Sequence, residues 1–473
     1  MAQTRTVDVV IIGAGAVGEN AADKVVQGGL SAVLIEAELV GGECSYWACM
    51  PSKALLRPGA ALLAAQSVAG SREAVTQTLD ADAVLKRRDE FTSHWQDDSQ
   101  VSWVENAGIE LIRGHAWLTG ERSVEVAGND GGTHVLHATH AVILATGSVP
   151  TAPPLPGLAD IEYWGTREAT SAQTVPDRLT VFGGGVSGTE LAQAFARLGS
   201  SVTLVARGDL LTMYPTEARE LVKAGLRADG VDLRLHTSAD SVQRNAGGEV
   251  ELVLSEGGGT VTSDELLVST GRHPALEGLG LESIGLEPKK LTTDTTGRVA
   301  GKDWLYAVGD AAGKVLLTHQ GKYEARATGT AIVARAAGTL HGDPAPWSAG
   351  AQTANDGAVP NVVFTDPEIA SVGLSLQQAR DGGRNVSEVS LPIAVAGSAL
   401  YADDYKGWAQ LVIDEDDKTL LGATFVGPDV AELLHSATIA VVGQVPLERL
   451  WHAVPSYPTV SEVWLRLLEK YGL

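Results

Sequence analysis

The stretch "GGECSYWACMPSK" at 41–53 holds the only two cysteines of the chain, Cys44 and Cys49, with Lys53 four residues beyond the second. Two thiols so spaced can be buried core groups, part of a metal site, or a pair cycling between dithiol and disulphide. Zinc generally takes four ligands, and no histidine occurs before His94, so nothing close in sequence completes a metal set and none is expected. A cycling pair needs an electron donor at hand, which turns attention to the elements on either side.

Immediately upstream, "VDVVIIGAGAVGENAADKVVQGGLSAVLIEAE" reads as apolar strand, glycine turn, amphipathic helix, second strand and acid, a βαβ unit. Gly13 permits the tight turn, Gly15 lets backbone approach a pyrophosphate, and Gly18 lets the helix pack closely on the strand. Phosphates then sit at the helix N-terminus. Glu36, 23 residues after Gly13, closes the second strand where a carboxylate accepts ribose hydroxyls. The same arrangement returns in "DRLTVFGGGVSGTELAQAFARLGSSVTLVARGDLL", with Gly183, Gly185 and Gly188 in the three places. Adding the same 23 residues to Gly183 reaches Ala206, followed by Arg207. No acid stands there to repel a 2′-phosphate and a cation adjoins it, which favours NADPH over NADH.

The whole chain bounds these readings. At 473 residues it has room for two to four domains. A composition 44% hydrophobic and 20% charged is that of an ordinary globular protein. A net charge of −23 opposes binding to nucleic acid or to an anionic membrane surface. No apolar run approaches the roughly 20 residues of a membrane span and the N-terminal stretch lacks signal-peptide character, so a cytoplasmic location is expected.

Taken in order, "GAGAVG" with Glu36, "GGECSYWACMPSK", "AVILATGS", "VFGGGVSGTE", "LLVSTGRHP", "YAVGDAAG", "VVFTDPEIASVGL" and "YPTVSE" resemble the pyridine nucleotide-disulphide oxidoreductases, the group of dihydrolipoamide dehydrogenase, glutathione reductase and mercuric reductase. The resemblance covers nearly the full length. It implies an α/β fold with two Rossmann-like dinucleotide-binding domains, for FAD and NAD(P), and a C-terminal α+β dimerisation domain. The expected boundaries are 1–149 and 273–349 for the FAD domain, 150–272 for the NAD(P) domain and 350–473 for the interface domain, with Pro-rich crossings at 148–157 and 342–350. It implies a homodimer whose active site is shared between subunits, with a small-molecule electron acceptor.

By the same resemblance Cys49 lies against the flavin and Cys44 is the outer thiol that meets the acceptor. Lys53 stands near the flavin edge and pairs with Glu190. Asp310, after Gly309, binds the ribityl chain and opens a helix facing the flavin. Thr146 and Gly147 line FAD, as do Gly42 and Ala116, and the turn at Thr270, Gly271 and Arg272 lies beside the NADP site. Disulphide reductases of this group carry His-Pro-Thr-x-x-Glu near the C-terminus, the histidine serving the partner's outer thiol as acid and base. Here the segment is Tyr457-Pro458-Thr459-Val460-Ser461-Glu462. A phenol titrates roughly three to four units above an imidazole and is a poor base at neutral pH. His452, five residues upstream, is the candidate substitute.

Mercuric reductases resemble this chain in having tyrosine there, but they deliver metal through a C-terminal cysteine pair. The "LLEKYGL" ending has none, so mercury reduction in that manner is not expected. The spacer residues Tyr46, Trp47 and Ala48 are bulkier than the group's usual ones, and the indole suits either a stacking surface or core packing. Three functional readings follow. The first is transfer from NADPH through flavin to the Cys44/Cys49 disulphide and on to a small disulphide or thiol-type acceptor. The others are a quinone, dye or metal-ion reductase that needs no histidine acid, and a low-turnover redox sensor on the same fold.

Overall fold

The computed structural model describes residues 3–473, which divide into two compact units. One comprises the chain up to Met50, Asp89–Thr151 and Arg272–Asn355. The other comprises Pro51–Arg88, Ala152–Gly271 and the chain from Asp356 onward.

The first unit is built on the strand Gln3–Ile12, which pairs in parallel with Ala32–Glu36 on one side and Thr133–Leu144 on the other. Leu305–Ala307 extends the sheet beyond Thr133–Leu144, and Glu110–Gly120 extends it beyond Ala32–Glu36, both in parallel. The runs "VVII", "AVLI" and "AVIL" are apolar at every position because each strand is covered on both faces. Register does the positioning. Ile12 lies opposite Ile35 and Leu144, and Leu144 opposite Ala307, so Gly13, Glu36, Ala145 and Val308 all leave the sheet along one carboxyl edge. Open α/β sheets bind their ligands at that edge.

Two helices cover one face, Ala16–Gln27 and Thr318–Ala336, packed nearly backbone to backbone. A Cβ on Gly28 would meet Val333 at 2.3 Å, and one on Gly329 would meet Lys24 at 2.8 Å. The approach therefore requires these small positions.

In the second unit four parallel strands run in the order Glu265–Val268, Arg178–Phe182, Ser201–Ala206, Asp232–Leu235, with the helix Val186–Arg197 packed on them. A five-stranded antiparallel sheet spans Pro360–Gly427 in the order Pro360–Val363, Glu368–Gly373, Thr419–Gly427, Trp408–Asp414, Val386–Pro392. Arg88, fully buried, donates to the carbonyls of Thr170 and Ala172 at 2.5 and 2.8 Å, which satisfies a charge the core could not otherwise hold.

Glu368, on the second strand of the antiparallel sheet, accepts from the Ala431 amide at 2.9 Å. Burial pushes its carboxyl from the usual 4.5 up to about 7, helped by Asp429, Asp366 and Glu432. A carboxyl raised in the fold contributes its full stability below the unfolded value and loses it as pH rises through the folded one. Glu368→Gln keeps the amide acceptor without the charge. It is therefore expected to match the parent at pH 4.5 and exceed it by roughly 2–3 kcal/mol at pH 8, read from urea midpoints. Equal midpoints at pH 8 would show that the carboxylate is solvated.

Candidate active site

The two glycine turns are alike in their steric demands. Gly13 has φ +102° and a Cβ there would lie 2.4 Å from the Ala145 carbonyl oxygen; Gly183 has φ +130° and its Cβ would lie 2.1 Å from that of Ser269. Gly18 and Gly188, one helical turn on, would strike the carbonyl oxygens of Gly13 and Gly183 at 1.9 and 2.4 Å. The middle glycines differ in kind. Gly15 and Gly185 are the N-caps of their helices, carry no side-chain cap, and have space in front of them. Each turn thus presents an unblocked helix N-terminus to an anion.

Around the first turn the residues fit FAD. Glu36 accepts the Ala14 and Glu38 amides at 2.7 and 2.8 Å, so both oxygens are fixed at the strand end with lone pairs to spare. Burial raises its carboxyl above the usual value, against those two hydrogen bonds. Asp310 accepts from Ser148 at 2.6 Å, and Arg272 lies 3.5 Å away. Gly309, with φ +62°, donates to the buried Glu324 at 2.7 Å, and Asn355 holds the other oxygen of Glu324 at 2.8 Å. Thr146 donates to the Ala275 carbonyl at 2.7 Å, and Gly147 follows with φ +73°. Ala116 is part-buried on the strand Glu110–Gly120 and packs on the core beneath the sheet. One expectation changes. Asp310 opens only a four-residue 3-10 turn, Gly309–Ala312, because Gly313 turns left-handed at φ +69°. The long helix begins later, at Thr318, and no strong helix dipole starts at Asp310.

The cysteine segment is docked on the glycine turn. Gly41 donates to the Ala14 carbonyl at 2.8 Å, and a Cβ on Gly42 would lie 2.8 Å from the Gly15 Cα. The short helix Gly42–Tyr46 carries Cys44, and Cys49 opens the helix Cys49–Gln66. Both cysteines are thiols, half-buried and hydrogen-bonded to each other. Cys49 Sγ lies 3.3 Å from Thr318 Oγ1. The hydrogen bond with Cys49, together with burial, holds the Cys44 thiol well above its ordinary range. Tyr46 is core, 1% exposed, with its hydroxyl 3.1 Å from Gln100 Oε1, and Trp47 stands edge-on to it at 5.7 Å. The indole therefore packs against its neighbour while staying half-buried.

In the second unit, Lys53 Nζ is 2.6 Å from Glu190 Oε2 and 4.8 Å from the centre of the Phe364 ring. Glu190 Oε1 accepts the Phe364 amide at 2.9 Å, so a buried carboxylate uses both oxygens. Arg207 is exposed just past the strand Ser201–Ala206, and Gly271 has φ +126°. Tyr457 is 75% exposed, and His452 is exposed too. Glu462 is buried and pairs with Arg466 at 2.6 Å, leaving its Oε2 without a hydrogen-bond partner. Neither Tyr457 nor His452 reaches it by a hydrogen bond or ion pair among the described residues.

Two phosphate-ready turns and a thiol pair docked on the first form the constellation of a flavin-linked dithiol enzyme, and comparison with known proteins decides the family. Residues 7–338 match the sequence model described as pyridine nucleotide-disulphide oxidoreductase, and residues 359–467 match the dimerisation domain of the same group. The chain belongs to the pyridine nucleotide-disulphide oxidoreductase family. It is an FAD-dependent enzyme, its relatives use FAD and NAD(P)H, and the dimerisation domain supports a homodimer. Mercuric reductase of Shigella flexneri is 34% identical over 460 residues, covering 96% of this chain and 79% of that one. Dihydrolipoyl dehydrogenase 2 of Haloarcula marismortui is 31% identical over 479 residues, covering 97% and 95%.

The fold is also that of two solved structures. LpdA from Mycobacterium tuberculosis has a TM-score of 0.84 at 23% identity, covering 99% of this chain and 100% of that one. The HOCl-induced flavoprotein disulfide reductase RclA from Escherichia coli has 0.81 at 23%, covering 98% and 99%. Among the described residues no group of three or more His, Cys, Asp or Glu side chains could hold a metal, and no helix is long and apolar enough to cross a membrane.

The sequence reading missed Thr318, Ser148, Glu324 and Phe364. Ser148 and Phe364 both sit inside motifs quoted for the resemblance, and "YAVGDAAG" pointed to Asp310 but not to the carboxylate that anchors Gly309.

Proposed function

We propose that this enzyme takes reducing equivalents from NADPH through FAD to the Cys44/Cys49 pair, and passes them to a small disulphide or thiol-type acceptor. The observation that carries the reading is the thiol pair itself, two half-buried sulfurs in hydrogen-bond contact on a segment fastened to the first glycine turn. When bound, FAD supplies the two-electron exchange between nicotinamide and sulfur. On this reading FAD occupies the 1–149 and 273–349 segments and NADPH the 150–272 segment. Gly13, Gly15, Gly18, Glu36 and Asp310 would hold FAD, and Gly183, Gly185, Gly188 and Arg207 would hold NADPH. Cys49 holds the inner position and Cys44 meets the acceptor.

Exposed Ile439, Val454 and Tyr457, at 57%, 85% and 75%, support a surface that a second copy covers, with the site shared between subunits. Titrating the holoenzyme with NADPH and with NADH, then presenting disulphides and quinones, tests donor and acceptor together. Arg207→Leu is expected to raise the KM for NADPH about tenfold with little change for NADH. Equal use of both donors by the parent would remove the role given to Arg207.

Tyr457 favours a second reading. An exposed phenol without a hydrogen bond to Glu462 is a weak acid-base group for thiol exchange, and mercuric reductases stand among the relatives. Electrons would then leave to a metal ion or quinone that needs no imidazole. Turnover with such an acceptor and none with disulphides would establish it.

A further inference from the structure

On the reading above, the thiol that must attack an acceptor is the one its surroundings make hard to ionise. Of the charges acting on Cys44, Cys49 opposes the thiolate and Lys322 favours it. Lys322 lies on the helix Thr318–Ala336, where residues at four-residue spacing share a face, so Thr318, Lys322 and Arg326 form one row. Contacts fix both ends of that row. Thr318 lies 3.3 Å from Cys49 Sγ, and Arg326 donates to Asn20 Oδ1 at 3.3 Å on the helix Ala16–Gln27.

Lys322 thus stands between the thiol pair and residues 19–20, with no hydrogen bond or ion pair engaging its side chain among the described residues. Glu19, next in the chain to Asn20, has its Oε1 buried without a partner. Burial raises the Glu19 carboxyl to about 7, with Lys322 opposing that rise and Glu36 adding to it. The charged and titratable groups acting on Cys44 are Cys49 on its own segment and Lys322 on the facing helix, with the Thr318 hydroxyl hydrogen-bonded to it, while Glu19 and Glu36 bear on one another and Glu19 on Lys322.

We propose that Lys322 is the positioning charge that supports the Cys44 thiolate in the reduced enzyme, supplying from the same subunit the electrostatic help that Tyr457 cannot give. This rests on the reading of Cys44 as the sulfur that meets the acceptor. The Cys44 thiolate attacks one sulfur of the acceptor disulphide, forms the mixed disulphide and expels the other sulfur as a thiolate that takes a proton from water. The Cys49 thiolate then attacks the Cys44 sulfur, restores the Cys44–Cys49 disulphide and expels the second thiolate. Two electrons leave the dithiol and two reduced sulfurs leave the site. Lys322 keeps its proton throughout and acts only through its charge.

The test is alkylation of Cys44 by iodoacetamide in the NADPH-reduced holoenzyme, mapped by mass and followed from pH 6 to 9.5. Lys322→Met is expected to shift the Cys44 profile upward by about one unit and slow the reaction at pH 7 about five- to tenfold, with the flavin spectrum unchanged. Lys322→Arg should stay within about twofold of the parent, since it retains the charge.

A Lys322→Met profile that overlays the parent overturns the role of Lys322. If Cys44 in the parent is no more reactive after NADPH reduction than before, the underlying sulfur reading fails instead. Should Lys322→Met lose its flavin, Glu19→Gln reads the same field. Freed of a carboxylate that offsets Lys322, Cys44 is expected to react about two- to threefold faster at pH 8, and an unchanged or slower rate counts against the proposal.

Discussion

Cys44→Ser is expected to lower turnover with a disulphide acceptor by at least about 1000-fold while NADPH reduces the flavin at close to the parent rate. A hydroxyl in place of the outer thiol cannot attack sulfur at neutral pH. The residues proposed to hold FAD keep their own partners: Glu36 on the Ala14 and Glu38 amides, Asp310 on Ser148, and Gly309 on Glu324. None of these contacts passes through Cys44, so flavin content should not change. Cys49 keeps its contact with Thr318 Oγ1 at 3.3 Å.

Stopped-flow absorbance separates the two half-reactions. Rapid flavin bleaching with a long-wavelength thiolate band, followed by stalled reoxidation with a disulphide, is the expected trace. An acceptor drawing electrons straight from the flavin gives a different one, since its turnover would survive the substitution. Full activity of Cys44→Ser across the disulphide panel would falsify the sulfur route.

What could be read from the sequence follows from how local each physical requirement is. The glycine turns were legible because their constraint is steric and immediate: no Cβ fits at Gly13 or Gly183, and the carbonyl blocking Gly18 belongs to Gly13 itself. Residues joined across long stretches of chain were legible only where a motif carried them. Lys53 and Glu190 are 137 residues apart, and resemblance alone suggested their pairing. Thr318 and Cys49, 269 residues apart, had no such signal.

Lys322 was hidden for a further reason. Its meaning depends on which face of the helix Thr318–Ala336 turns toward the cysteines, and that helix has no strong amphipathic pattern because most of its length is covered. The spacer aromatics were ambiguous for a similar reason. Only tertiary packing distinguishes Tyr46, buried with its hydroxyl on Gln100, from Trp47, edge-on and half-buried beside it. The sequence also suggested a helix at Asp310, where Gly313 stops the turn after four residues. There a single left-handed glycine ends the element before it becomes a helix.

Glu190 supports the other large effect. Its carboxylate is 3% exposed and binds two donors, the Lys53 ammonium at 2.6 Å and the Phe364 amide at 2.9 Å. Glu190→Ala removes both at once. Lys53 is 34% exposed and can recover water, so the loss is less than that of a fully buried pair, and about 1–2 kcal/mol of stability is expected to go. The effect on rate should be larger. On the proposed reading the Lys53 ammonium favours negative charge on the reduced flavin, and without its partner it samples other rotamers over the Phe364 ring.

Flavin reduction by NADPH is therefore expected to slow by roughly 10- to 100-fold in Glu190→Ala. Glu190→Gln separates placement from charge. Its amide oxygen can still accept from Phe364, so denaturant midpoints should stay near the parent, while the neutral side chain holds Lys53 less firmly and the rate of flavin reduction should still fall. If Glu190→Gln reduces its flavin as fast as the parent, the pair serves only to fasten the helix Cys49–Gln66 to the segment at Phe364. If both variants are slow and only Glu190→Ala is unstable, the ion pair serves the chemistry and the amide hydrogen bond serves the fold.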